Sequence, residues 1–367
     1  MTTWSVLGGP MSGTPGQTLS LQDSLSGAAF YRVQSSISLE YAELNNANLA
    51  FGELEDADFF GANLFGANLS QATLTGANLG GADLRSADLS QGVLTGADLF
   101  GVQAASANFN FASFDGVDAT FGDFENAGLL AADLTGTDFT FAILTGADLR
   151  FATWNNVILD TDTQIDAKPQ LIWQLVNHPA TNAILLNVDL SEATLAGVNF
   201  NHANFSGSSF FETDLSGADL RGANFTAASM AFVDFKGTLI DGTTLIDSKS
   251  RLVWQILNQP LIGRDLHAAN LSSVLLFQAG LIGANLTNSF CFESVLEESN
   301  FGNANLTGAN FNNADFFGAI LTNANLTQGR FRSADFSQAN LLNAITNGAD
   351  FTGAIFTNTI MPDGSIR

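Results

Sequence analysis

From Ala57 to Gly101 the chain repeats itself every five residues. Nine consecutive pentads carry a large apolar residue at their centre: Phe59, Leu64, Leu69, Leu74, Leu79, Leu84, Leu89, Leu94 and Leu99. Two places before each centre sits Ala or Gly, and one place before is usually Asp or Asn. Two places after, six of the nine are Gly. A period of five suits neither an amphipathic helix nor an alternating strand. Two inward positions in five, one small and one large, demand a turn in every pentad. Gly at the corner tolerates positive φ, and Asn or Asp can bond to the local backbone. Self-similarity at a fixed short period means a stack of repeats with one continuous interior.

The pentads ADFFG, ANLFG, ANLSQ, ATLTG and those that follow resemble the pentapeptide-repeat family, whose signature is A(D/N)LXX. The resemblance covers roughly four fifths of the sequence. It implies an all-β solenoid, a right-handed quadrilateral β-helix in which four pentads make one square coil of twenty residues. Some members resemble B-form DNA in width and charge, bind type II topoisomerases such as gyrase, and protect against quinolones. Those members typically dimerise through a C-terminal helix, and the last residues here, MPDGSIR, supply none. Two helical interruptions match better the large members of photosynthetic bacteria.

The repeat segments the chain. Residues 1–20, rich in Gly, Pro, Ser and Thr, read as a tail or a cap. Weak pentads begin near Leu25 and Phe30, with a one-residue slip before Leu39. A first β-helix segment spans 21–160, and from Leu39 to Leu159 every fifth residue is a centre, giving 25 pentads. Ala104 and Ala119 are undersized there and Trp154 oversized. Residues 161–182 and 243–263 break the rule and align with each other at an offset of 81: Asp166/Asp247, Lys168/Lys249, Trp173/Trp254, Asn177/Asn258 and Pro179/Pro260 among them. Each reads as a short amphipathic helix, with Asp166 or Asp247 where a cap sits, Pro169 at a first helical position, and Pro179 and Pro260 as stops. Leu171, Ile172, Leu175 and Val176 make the apolar stripe of the first.

Between the breaks lies a second segment, 183–242, with centres running on from Leu185 to Leu245; a third, 264–361, has centres from Leu266 to Met361, and 362–367 is a tail. Leu185 to Ile240 is 12 pentads, three whole coils. Both helices are therefore expected to leave from one corner of the square, roughly 14–15 Å apart at the inter-strand spacing, and to pack on one side. All six prolines fall outside the pentads, as a fully bonded ladder requires. The whole predicts a rod of 14 to 15 coils, roughly 70 Å long. Leu64, Leu84, Phe205, Leu306 and Phe336 represent its expected core. Cys291, at a centre, reads as a buried thiol.

Charge is sparse and one-sided: 36 acidic residues against 12 basic, net −24. That opposes direct nucleic-acid binding and suits basic protein partners. The single cysteine excludes an intrachain disulfide. The first residues do not read as a secretory signal and no apolar run reaches a membrane span, so a cytoplasmic protein is expected. His178, His202 and His267 are scattered, and the sequence carries no nucleophile–base order, metal-ligand spacing or phosphate loop. An enzyme, a cofactor and a metal are not expected.

The expected function is a non-catalytic acidic rod, a protein-interaction or structural scaffold; the alternative is a DNA mimic that binds a type II topoisomerase. The candidate contact surface is the column Asp98, Asp118 and Asp138, whose positions recur every twenty residues. Phe121 and Phe141 stand beside it. Phe51, Phe111 and Phe151 form a second outward column, Phe60 and Phe100 a third. Outward Phe is costly unless covered, by the helices, by the tail or by a partner. The last coil, lacking a helical cap, is expected to be covered or to associate end to end with a second copy.

Overall fold

The computed structural model describes residues 2–6, 9–13, 38–259 and 261–367. It divides into two compact units, residues 1–178 and 179–367. The weak pentads near Leu25 and Phe30, the slip before Leu39, and Pro260 lie outside the described residues. At the amino end, β1 (Thr2–Val6) pairs antiparallel with β2 (Gly9–Gly13).

Isolated parallel bridges then join residues twenty apart: Ser38 to Asp58, Asp58 to Asn78, Asn78 to Asp98, and onward. The same step of twenty runs through 184–239 and 265–360. Each step, a coil, contains four turns. Within a turn the small residue donates its N–H to the preceding centre, as Ala82 does to Leu79 at 3.0 Å. The residue before it holds positive φ, for example +64° at Gly81. A four-residue turn closed from its last N–H to its first carbonyl, with positive φ at its third residue, is a type II turn, which explains the Gly frequency there.

The backbone donors of one pentad can be followed to their acceptors. In 77–81, Ala77 N–H bonds Leu74 O, Asn78 N–H bonds Ala57 O in the previous coil, and Leu79 and Gly81 bond Asp98 O and Phe100 O in the next. One donor is left, Gly80 N–H, and the Asn78 side-chain oxygen takes it at 3.0 Å. The same bond recurs as Phe100 N–H to Asp98 Oδ1 (2.9 Å) and Thr120 N–H to Asp118 Oδ1 (3.0 Å). A polar residue before the centre thus completes the hydrogen bonding of its pentad.

The centres fill the interior. Leu64, Leu84, Phe205, Leu306 and Phe336 are all fully buried, as expected. Rings twenty residues apart stack face to face: Phe316 on Phe336 at 4.8 Å, and Phe336 on Phe356 at 5.4 Å. Such pairs add about 0.5–1.5 kcal/mol beyond their burial. Cys291 is buried among them, and desolvation pushes its thiol up to about 12. The thiol is therefore unreactive.

Two helices interrupt the ladder, α1 (Ala167–Asn177) in the first unit and α2 (Ser248–Asn258) in the second. Before each, the bridge step lengthens to 21, from Ile143 to Gln164 and from Asn224 to Leu245. The extra residue sits in the tight loops 160–163 and 241–244, where Asp160 accepts from Thr163 N–H (2.8 Å) and Asp241 from Thr244 N–H (3.1 Å). This corrects the assignment of Leu245 as a centre. It holds the bridge position and is 55% exposed, and Ile246 follows as the centre. The phase shift therefore precedes the helix, and Ile246 to Leu266 is one twenty-residue step.

Both helices bury part of the expected stripe, Ile172 and Leu175 in α1 with Leu171 and Val176 only half-buried, and Val253 and Ile256 in α2. Asp247 caps α2 through bonds from Lys249 and Ser250 N–H. Asp166 occupies the same position but makes no cap bond; its carboxylate instead accepts Gly146 N–H at 2.9 Å. Pro169 is the third helical residue, not the first. It lies within the first four, whose N–H groups have no intrahelical partner, so its missing donor is tolerated there.

At the carboxyl end the chain turns back at 362–365. Ile360 faces Ile366 antiparallel, and Arg367 and Thr359 exchange backbone bonds of 3.0 and 3.2 Å. This hairpin, with Arg367 lying 5.7 Å over Phe356, partly covers the last coil.

Candidate functional site

The sequence-selected surface belongs wholly to the first unit. Asp98, Asp118 and Asp138 are joined by successive parallel bridges, so they occupy one face of neighbouring coils. Each carboxylate bonds locally through Oδ1. Asp98 takes Phe100 N–H, and Asp118 takes both Thr120 N–H and the Thr120 hydroxyl (2.7 Å). Asp138 takes Thr140 N–H at 2.9 Å and the Thr140 hydroxyl. Carboxylates one coil apart repel, and these bonds together with solvent hold them.

Phe121 and Phe141 project from the corner beside this column. Their rings stack at 4.7 Å with an interplanar angle of 6°. Both adopt positive φ, near +60°, a conformation that is uncommon for a bulky side chain. They are 54% and 43% exposed. Within the first unit, α1 does not cover them. Phe100 closes edge-on to Phe121 at 5.5 Å and is itself half exposed. The sequence had set Phe100 in a separate column with Phe60. The structure joins it to the Phe121 pair, whereas Phe60 closes edge-on to Tyr41 of the preceding coil at 5.7 Å. A spacing of 21 was the signal. Phe51 and Phe111 are likewise exposed.

Arginines elsewhere show what an aspartate on this ladder does with its second oxygen. In the pentads that begin Ala82-Asp83-Leu84-Arg85, Ala147-Asp148-Leu149-Arg150 and Ala218-Asp219-Leu220-Arg221, the guanidinium forks onto both carboxylate oxygens. Arg85 donates to Asp83 at 2.8 and 2.6 Å, Arg150 to Asp148 at 2.8 and 2.8 Å, Arg221 to Asp219 at 2.9 and 2.7 Å. The bonded guanidinium holds each carboxyl below its ordinary range. Arg85 also lies 5.9 Å over the Phe65 ring, twenty residues earlier.

A cavity of about 250 Å3 opens in the second unit, between α2 and residues 229–235, with Val274 and Leu275 closing it. Its lining includes Lys249, whose amine is pushed below its ordinary range by desolvation, against the pull of Asp247. No group of three metal-ligating side chains occurs among the described residues, and no helix there is long and apolar enough to cross a membrane.

The pentapeptide-repeat family, described as pentapeptide repeats, matches in eight copies over residues 52–91, 129–159, 180–210, 203–242, 294–332 and 319–358. The chain belongs to the pentapeptide-repeat family. A search of curated proteins returned no match. Among solved structures, this pentapeptide-repeat protein is similar to HetL of the cyanobacterium Nostoc sp. strain PCC 7120, a pentapeptide repeat protein involved in heterocyst differentiation regulation. Identity is 26%, over 82% of this chain and 91% of that one, with a TM-score of 0.23. It is similar to Rfr23 of Cyanothece 51142, 32% identical over 26% of this chain and 64% of that one, TM-score 0.25. QnrB1, a plasmid-mediated fluoroquinolone resistance protein, is 17% identical over 59% of this chain and 94% of that one, TM-score 0.17. Superpositions this loose say nothing of what a pentapeptide-repeat chain binds.

Proposed function

We propose that the protein is a non-catalytic acidic scaffold whose coils form a right-handed quadrilateral β-helix and whose 98–141 face binds a protein partner. One observation carries this reading: three exposed rings, Phe100, Phe121 and Phe141, stand together beside the Asp98–Asp118–Asp138 column. Contiguous apolar surface rimmed by charge is the composition of a contact site. Net charge of −24 makes a basic partner the natural complement. The regular aspartate spacing also fits the DNA-mimic reading, in which that partner is a type II topoisomerase.

A photo-reactive phenylalanine analogue at position 121, in the cell that makes the protein, tests the scaffold. A discrete cross-linked protein is expected, together with none from the same analogue at position 290 in the second unit. Equal labelling from both positions, or none from 121, would overturn the reading. Inhibition of gyrase supercoiling by the purified chain, lost on Asp118→Asn with Asp138→Asn, would name the topoisomerase; unaffected supercoiling would remove it.

A further inference from the structure

The three Ala-Asp-Leu-Arg pentads supply an internal template. Each aspartate uses Oδ1 for its own corner N–H and offers Oδ2 to a guanidinium. At Asp83 the template is fuller, because the guanidinium is also laid over Phe65 of the preceding coil. The same three positions recur on the candidate face. Phe100 stands where Phe65 stands, Asp118 where Asp83 stands, and residue 120, the place of Arg85, is Thr. Thr120 engages only Oδ1 of Asp118, and Asp118 Oδ2 has no partner among the described residues. The Asp138 and Thr140 pair repeats this one coil on, with the Phe121–Phe141 stack alongside.

We infer that this face is a seat for arginine side chains of a basic, extended protein segment. One guanidinium lies over Phe100 and pairs with Asp118 Oδ2, and a second pairs with Asp138 beside the stacked rings. The inference rests on the scaffold reading and names the partner's chemistry. Arginine is selected over lysine for two reasons. Its planar fork matches a carboxylate edge, and it stacks on an aromatic face, whereas an ammonium is a compact, strongly hydrated charge. An extended segment places alternate side chains on one side about 6.6 Å apart. That spacing exceeds the roughly 4.8 Å between coils, and a long flexible side chain spans the difference.

The test uses the full chain and two fluorescein-labelled twelve-residue peptides, alternating Arg-Ser and alternating Lys-Ser, read by fluorescence anisotropy. The arginine peptide is expected to bind about five-fold or more tighter than the lysine peptide of equal charge. Thr120→Arg fills the seat from within, as Arg85 does, and should weaken the arginine peptide about ten-fold. Asp115→Asn changes net charge by the same amount on another face and should weaken it less than about two-fold. Circular dichroism checks that both variants fold. Equal binding of the two peptides, or equal loss in the two variants, overturns the seat, because binding would then follow net charge alone. The position-121 cross-link is a separate readout. If it persists while the peptides fail to discriminate, the scaffold stands and the arginine seat falls. If no cross-link forms while discrimination holds, the face selects arginine but the scaffold reading, and the seat that rests on it, fall.

Discussion

The helices α1 and α2 arose at equivalent places and share some contacts but not others. In each, a tryptophan indole donates to a backbone carbonyl of the preceding coil, Trp173 to Val157 O at 2.7 Å and Trp254 to Thr238 O at 2.8 Å. In each, an asparagine amide donates to a centre carbonyl, Asn177 to Trp154 O at 2.8 Å and Asn258 to Phe235 O at 2.9 Å. Within the ladder, a carbonyl such as Val157 O would accept an N–H from the next coil, as Ala42 O accepts from Asn63. The shared indole therefore takes the place of a next-coil N–H, and the shared amide adds a donor to a centre carbonyl already held within its own turn. The rest differs. Asp247 caps α2, Arg251 donates to Thr244 O (2.7 Å) and Arg264 to Gln259 O (2.6 Å). The first helix lacks all three and has an edge-on Trp173–His178 contact instead. What the ladder end demands is kept, and what only the helix itself demands is free to vary.

That contrast breaks if the shared contacts prove dispensable. Trp173→Ala and Trp254→Ala should each cost about 3 kcal/mol, near the lower bound for a large aromatic because both rings are only partly buried. Hydrogen exchange of the preceding coil reads the loss. Asn258→Ala should cost about 1–2 kcal/mol, leaving Phe235 O with only its two Thr238 donors and Gly237 N–H without the Asn258 oxygen it meets at 2.7 Å. In thermal melts, Asn177→Ala should fall in the same range.

The unshared contacts should separate the helices. Asp247→Ala is expected to lower stability by about 1 kcal/mol, the usual worth of an N-cap, and to raise exchange within α2. Asp166→Ala should cost about half that and raise exchange at Gly146 rather than in α1. The smallest effect concerns acid. The Thr243 hydroxyl and the Thr243, Thr244 and Gly222 N–H groups hold the Asp241 carboxyl down to about 2, against an ordinary 3.8. A lowered folded value means that its contribution is full above about 4 and is lost as pH falls through about 2. Asp241→Asn should remove that part of the acid dependence between pH 4 and 2, followed by circular dichroism.

The core was legible from residue identity alone, because a centre such as Leu84 or Phe336 has one place to go once the period is fixed. The helices were legible too, since Trp173/Trp254 and Asn177/Asn258 repeat at one offset. Leu245 was misread because counting in fives cannot see a one-residue bulge, and the Asp241–Thr244 loop that absorbs it carries no apolar signal. The cap at Asp166 failed because Gly146 competes for its carboxylate, a contact twenty residues distant. The candidate face was half legible. Its aspartates and the Phe121–Phe141 pair follow from the twenty-residue column, whereas Phe100 joins them only through an edge-on contact between coils.

At most corners the residue before the centre supplies one oxygen to its pentad. An amide serves as well as a carboxylate, as Asn78 and Asp98 do at nearly the same length. The corner bond is therefore indifferent to the charge of the side chain that supplies it. A lineage, or a designer, can exchange Asp for Asn coil by coil and repaint the exterior from strongly anionic to neutral, with the framework beneath unchanged.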